Sequence, residues 1–98
     1  MIGQLLCVNT YNYTKDGKQK QGRTLMLMAC DEVNESDGNG NAVYGFPTEE
    51  IFVPVTFPMS DIELSKLVGE VIDIRKEKRI GERWEKIVSI TKVESTNV

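Results

Sequence analysis

Four cations, Lys15, Lys18, Lys20 and Arg23, stand within nine residues, directly after two tyrosines, Tyr11 and Tyr13. Ammonium and guanidinium groups at this density can follow a phosphate backbone without reading bases, and the asparagine and glutamine amides among them add hydrogen bonds to sugar or phosphate. Tyrosine rings offer flat faces on which bases stack, each stack contributing about 1–3 kcal/mol. The same composition also suits a solvated hairpin tip whose tyrosines lie in a sheet. A second group follows near the C-terminus, Arg75-Lys76-Glu77-Lys78-Arg79 and then Arg83-Trp84-Glu85-Lys86. Its tryptophan, flanked by Arg83 and Glu85, either stacks on a ligand or caps one end of the core. A third group, Tyr44-Gly45-Phe46-Pro47, is either an aromatic arm or a plug at a sheet edge.

Other chemistries lack their residues. The chain has no histidine and no Cys-x-x-Cys pair, so neither a His-ligated zinc site nor His-based acid–base catalysis is available. The acids Asp31, Glu32, Glu35, Asp37, Glu49 and Glu50 miss the alternating spacing of a calcium loop. None of the motifs GxxxxGK[ST], GxGxxG, GxSxG or HExxH occurs. The expectation is a non-catalytic protein without metal or cofactor.

The net charge of −3 is opposite in sign to that of a polyanion binder until it is divided along the chain. Residues 1–30 carry four bases against one acid, residues 31–70 one base against nine acids, and residues 71–98 seven bases against five acids. Base is held in the two flanks and acid in the middle, and a local basic groove matters more than the total.

The elements that would position these groups are mostly strands. Gln4–Tyr13 is rich in strand formers and leads into a polar turn segment, Thr14–Gly22, centred on the hairpin signal Asp16-Gly17. Arg23–Val33 reads as a second strand, apolar on both alternating faces. Asn34–Asn41 is a flexible loop of turn residues, Val43–Phe46 a short extension, and Ile51–Phe57 a third strand, in which Pro54 demands an edge or a bulge. Ser60 and Glu63 form a capping box for a helix that Gly69 ends, with Met59 and Leu64 placed as a hydrophobic staple. Glu70–Ile80 and Arg83–Val93 are the fourth and fifth strands. On the fourth, alternation groups Lys76 and Lys78 with Ile72 and Ile74, and sets Arg75, Glu77 and Arg79 opposite.

Five strands with a helix between the third and fourth are the order of a Greek-key OB-fold barrel, an all-β class with one helix. Ninety-eight residues without an internal repeat make one such domain, residues 1–93, with 94–98 a short C-terminal tail. Cys7 and Cys30 fall on predicted strands and read as buried free thiols of a cytoplasmic protein. The longest apolar run, Leu25–Cys30, falls far short of the ~20 residues of a membrane-spanning helix, and no signal peptide is expected.

The stretch Thr14–Leu27 (TKDGKQKQGRTLML) resembles the DNA-binding hairpin of the filamentous-phage gene V proteins, which bind single-stranded DNA. It shares a threonine, a base, a turn glycine, a base followed by Gln-Gly, and a further base. Gly81–Val93 (GERWEKIVSITKV) is similar to that family's last hairpin. The resemblance covers roughly a third of the chain. It implies a small OB-type barrel, often a symmetric dimer, that coats single-stranded DNA cooperatively without sequence preference. Lys15, Lys20 and Arg23 match basic positions of the binding hairpin, and Trp84 matches the aromatic of the last one. Leu25 stands where the family can carry an aromatic. The acidic insertion Asn34–Glu50 and the capped helix Ser60–Val68 depart from the family and point to a plasmid, a conjugative element or another phage type.

Composition and resemblance together lead to one expectation. Lys15, Lys18, Lys20, Arg23, Lys76, Lys78, Arg79 and Arg83 neutralise phosphates, while Tyr11, Tyr13 and Trp84 stack bases. Single-stranded DNA is the expected partner, with RNA as the other nucleic acid the chemistry allows. An OB- or SH3-like protein–protein adaptor of a replication or conjugation machine is the rival reading, and a structural subunit of a virion or secretion machine is a second.

Overall fold

A long antiparallel hairpin of β1 (Ile2–Lys15) and β2 (Lys18–Met28) forms the backbone of the computed structural model, which describes residues 1–94. Its turn is the expected Asp16-Gly17, and both residues take positive φ, 54° and 73°. That is the pairing a type I′ turn needs, and its twist matches that of the flanking strands. The strands therefore run up to the turn: Lys15 pairs with Lys18, Thr14 with Gln19 and Tyr13 with Lys20. Thr14–Gly22 is strand on both sides of two residues, not the turn segment its polarity suggested.

Beyond Met28 the expected second strand stops. Residues 33–45 form a separate two-stranded sheet of β3 (Val33–Ser36) and β4 (Ala42–Gly45), so Asn34–Asn41 is not the plain loop expected. Asp37 closes this hairpin. Its carboxylate accepts from the Asn41 side-chain amide at 2.8 Å and from the backbone N–H of Asn39 at 2.7 Å. These bonds hold its pKa below the ordinary carboxylate value.

The third long strand, β5 (Thr48–Val53), ends before Pro54 rather than at Phe57, because proline brings no N–H to a ladder. The chain then turns, with the Phe57 N–H bonding the Pro54 carbonyl at 3.1 Å. Helix α1 (Asp61–Ser65) is shorter than expected, but its capping box is formed. The Ser60 hydroxyl accepts from the Glu63 N–H at 3.1 Å, and the Glu63 carboxylate accepts from the Ser60 N–H at 3.3 Å. Leu64 is fully buried, and Gly69 takes a φ of 90° beyond the helix. Strands β6 (Val71–Glu77) and β7 (Lys86–Lys92) complete the fold. Both are shorter than expected, which leaves residues 78–85 as a loop.

The five long strands form one antiparallel sheet in the order β5-β2-β1-β6-β7. Its two edges are β5 and β7, and among the described residues no ladder joins them to close a barrel. The sheet nevertheless coils. Ile51 and Val53 from one edge and Ile90 from the other share one core with Leu5, Leu25, Leu27, Leu64, Ile72 and Ile74. Among the described residues no helix is long and apolar enough to cross a membrane. Cys7 is half-buried and Cys30 exposed, and neither is in a disulfide. Cys30 lies past the end of β2, which is why the expected burial fails there.

One charged side chain lies in this core. Arg23 is 4% exposed, and its guanidinium has five N–H groups to satisfy. Nε donates to the Val53 carbonyl at 3.4 Å. One terminal nitrogen donates to the Met59 carbonyl at 2.5 Å and to the Asp61 carboxylate at 3.2 Å. The other reaches the carbonyls of Pro54 at 2.8 Å and Phe57 at 3.5 Å. Five donors meet five acceptors, all on the segment from the end of β5 to the start of α1. Removing Arg23 strands those carbonyls, so Arg23→Ala is expected to cost about 3 kcal/mol or more in urea unfolding. Arg23→Lys keeps the charge, loses two donors and costs about 2 kcal/mol. Asp61→Asn costs less than about 1 kcal/mol, because that carboxylate is 58% exposed. Equal losses for the alanine and asparagine variants would show that the ion pair, not the carbonyl set, carries the stabilisation.

Candidate nucleic-acid interface

Strand pairing decides which of the expected residues meet. Tyr11 lies opposite Gly22, Tyr13 opposite Lys20, and Lys15 opposite Lys18. Direct cross-strand partners share a face and so do alternate residues along a strand. All five expected residues of this hairpin apart from Arg23 therefore lie on the outer face, away from the core. Lys15 and Lys18 are like charges placed directly opposite, a destabilising arrangement that an anion between them would relieve. None of Lys15, Lys18 and Lys20 forms an ion pair among the described residues.

Arg23 is the correction. It follows Lys20 by three positions, an odd interval, so the pleat turns it inward beside Leu25 and Leu27. The guanidinium expected to meet phosphate is committed to the chain itself. Counting parity along Lys18-Gln19-Lys20-Gln21-Gly22-Arg23 was the signal that could have shown this.

The structure adds a residue that sequence reasoning missed. Phe52 lies on β5 opposite Thr24, on the outer face, between the buried Ile51 and Val53. Tyr13 and Tyr11 have ring centroids 5.9 Å apart, and Tyr11 and Phe52 stack at 6.4 Å with planes 30° apart. The row Tyr13–Tyr11–Phe52 thus crosses the sheet, and its two outer rings are each 52% exposed. Gly22 makes the row possible. A Cβ there would fall 2.5 Å from the Tyr11 hydroxyl and 2.7 Å from the Phe52 ring, so the bare glycine backbone is the floor on which Tyr11 lies. The inward-facing Ile51 and Val53 on either side of Phe52 were the available signal for its outward placement.

The second basic ribbon is arranged differently from the expectation. Lys76 lies in β6 opposite Ile87, while Lys78, Arg79, Arg83 and Trp84 stand exposed on loop 78–85. Trp84 is 73% exposed rather than at the start of a strand, and the Arg83 guanidinium lies 5.7 Å from its ring centroid. Lys86 bonds Glu82 at 2.7 Å across the loop and holds the Glu82 pKa below its ordinary value. Between β5 and this ribbon runs an open cleft of about 590 Å³ with Phe52, Phe57, Lys76 and Lys86 in its walls. Phe52 therefore belongs both to the ring row and to the cleft, and links Lys76 to the hairpin residues. The arm β3–β4 leaves Val43, Tyr44 and, just past it, Phe46 exposed.

No protein-family model, curated protein or solved structure matches this chain.

The dependence of the ring row on Gly22 is directly testable. Gly22→Ala should displace Tyr11, abolish the nuclear Overhauser contacts between the Tyr11 and Phe52 rings, and lower stability by about 1 kcal/mol. Retention of those contacts in the folded variant would show that the row does not rest on the glycine.

Proposed function

We propose that this chain is a non-catalytic protein that binds single-stranded nucleic acid, single-stranded DNA foremost, without sequence preference over most of its contact. The observation that carries this reading is a row of three rings, the outer two exposed, on a sheet face that ends in three lysines without ion pairs among the described residues. Rings 5.9 and 6.4 Å apart are spaced at nearly twice the ~3.4 Å rise per nucleotide of a duplex strand. They suit a strand drawn out with its bases parted, not a double helix. Lys15, Lys18 and Lys20 neutralise phosphates at one end of the row, and Lys76 does so at the other. Lys78, Arg79 and Arg83, with Trp84, extend the basic surface along loop 78–85.

An OB-type Greek-key barrel is part of the proposal. The order β5-β2-β1-β6-β7 with a capped helix before β6 supports it, since OB-folds are partly open and bind oligonucleotides on the face of their second and third strands. Here β2 and β5 take those places. A cytoplasmic role in the replication of a phage, plasmid or other mobile element follows from the resemblance in the binding hairpin. A homodimer belongs to the same reading. Ile2 and Leu6 on the sheet, and Tyr44 and Phe46 at the arm, are apolar surfaces that a second copy would cover. That same arm favours the alternative of a protein–protein adaptor.

The test is a titration with oligo-dT, followed by Trp84 fluorescence and by the anisotropy of a labelled strand, across a range of salt. Binding should weaken steeply with salt. Replacing Lys15, Lys18 and Lys20 together by alanine should weaken binding to every sequence and reduce the log–log salt slope by about 2. Phe52→Leu should cost about 1–3 kcal/mol of affinity. Absence of any fluorescence or anisotropy change at low salt would overturn the proposal.

A further inference from the structure

The cleft between β5 and the β6–β7 ribbon has a chemistry that the ring row lacks. Its volume of about 590 Å³ falls inside the ~300–1,000 Å³ range of small-ligand sites, which pair apolar walls with a few placed polar groups. The apolar walls come from Pro54, Phe57 and Ile87. Pro54 and Phe57 are held by the Arg23 guanidinium through their carbonyls, so this wall is preformed. The polar lining has two signs. Lys76 and Lys86 are cations, while Glu50 and Glu85 bring carboxylates that can only accept hydrogen bonds when ionised.

Resting on the reading of the ring row as a strand-binding face, we propose that the strand continues past Phe52 and places one base in this cleft, and that the cleft favours bases with an exocyclic amino group over thymine. The base lies between the apolar walls, and a flanking phosphate meets Lys76, since Lys86 is paired with Glu82. A carboxylate at the rim accepts from the N4 amino group of cytosine or the N6 amino group of adenine, a pairing that carboxylates make with cytosine elsewhere. Thymine turns its O4 carbonyl to the same place, where acceptor meets acceptor. Two carboxylates beside the two cations would otherwise only weaken the hold on a polyanion.

The experiment is a competition in which unlabelled oligo-dC and oligo-dT of equal length displace a labelled dT strand. Oligo-dC should displace it at about five-fold lower concentration, the effect of one hydrogen bond of about 1 kcal/mol. The double variant Glu50→Gln, Glu85→Gln should bind both strands alike, since an amide can donate to O4 as well as accept from N4. Lys76→Ala should weaken both strands equally. A titration of the unmodified protein with the mononucleotides dCMP and TMP, read by NMR, should shift the Ile87 methyl and Phe57 ring signals, with dCMP acting at the lower concentration. Firm dT binding with no dC preference, a preference that survives in the double variant, or shifts confined to the β1–β2 hairpin would overturn the cleft assignment and leave the strand-binding reading intact. Failure of both strands to bind would overturn the strand-binding reading itself, and this site with it.

Discussion

A single guanidinium holds together the part of the molecule that has no ladder to hold it. After Val53 the chain passes through Pro54 and Pro58, which bring no N–H groups, and begins a helix of only five residues. Arg23 reaches this segment from the neighbouring strand and supplies five donors to it. A buried charge is tolerated only when its hydrogen-bonding capacity is met. The segment needs a donor set, the arginine needs acceptors, and each satisfies the other. No buried side-chain polar atom among the described residues is left without a partner.

The pleat that turns Arg23 inward also divides the sheet into two faces. Inward, Leu25, Leu27, Ile51 and Val53 lie on the same face as the arginine and belong to the core. Outward, the same strands present Tyr11, Tyr13 and Phe52, then Lys15, Lys18 and Lys20. A solvated antiparallel face commonly alternates polar residues with the inward apolar ones. This one carries exposed rings instead, together with cations lacking ion pairs among the described residues, which is an arrangement fitted to a partner with flat faces and negative charge. The arginine also shapes the outer surface indirectly. By fixing Pro54 and Phe57 it sets one wall of the cleft that Phe52 shares.

Acid and base are kept apart along the sequence, although the fold brings Asp61 to Arg23 and Glu70 to Lys92. The acidic middle of the chain supplies the β3–β4 arm, whose Asp37 is spent on closing its own turn. That separation explains how a protein with a net charge of −3 can present a basic ribbon. Among the described residues, Glu50 and Glu85 are the acids that line the cleft with the cations.

The sequence by itself determined whatever depends on neighbours a few positions away. Asp16-Gly17 could only be a tight turn, because two consecutive positive φ values favour residues of that kind. Ser60 and Glu63 had to cap a helix, since each satisfies the other's backbone N–H three residues off. Alternation put Ile72 and Ile74 on one face of their strand, while the second strand, apolar on both faces in the sequence, left open which side would be buried. Tertiary structure alone decided what depends on partners far along the chain. The acceptors of Arg23 lie about thirty to forty residues away, so nothing local distinguishes a phosphate ligand from a core pin except the parity of the strand. Phe52 joins Tyr11 only because β5 pairs with β2 in one register and Gly22 leaves room between them. Short-range geometry is written in residue types, whereas burial and site assembly are set by which distant strands come to lie side by side.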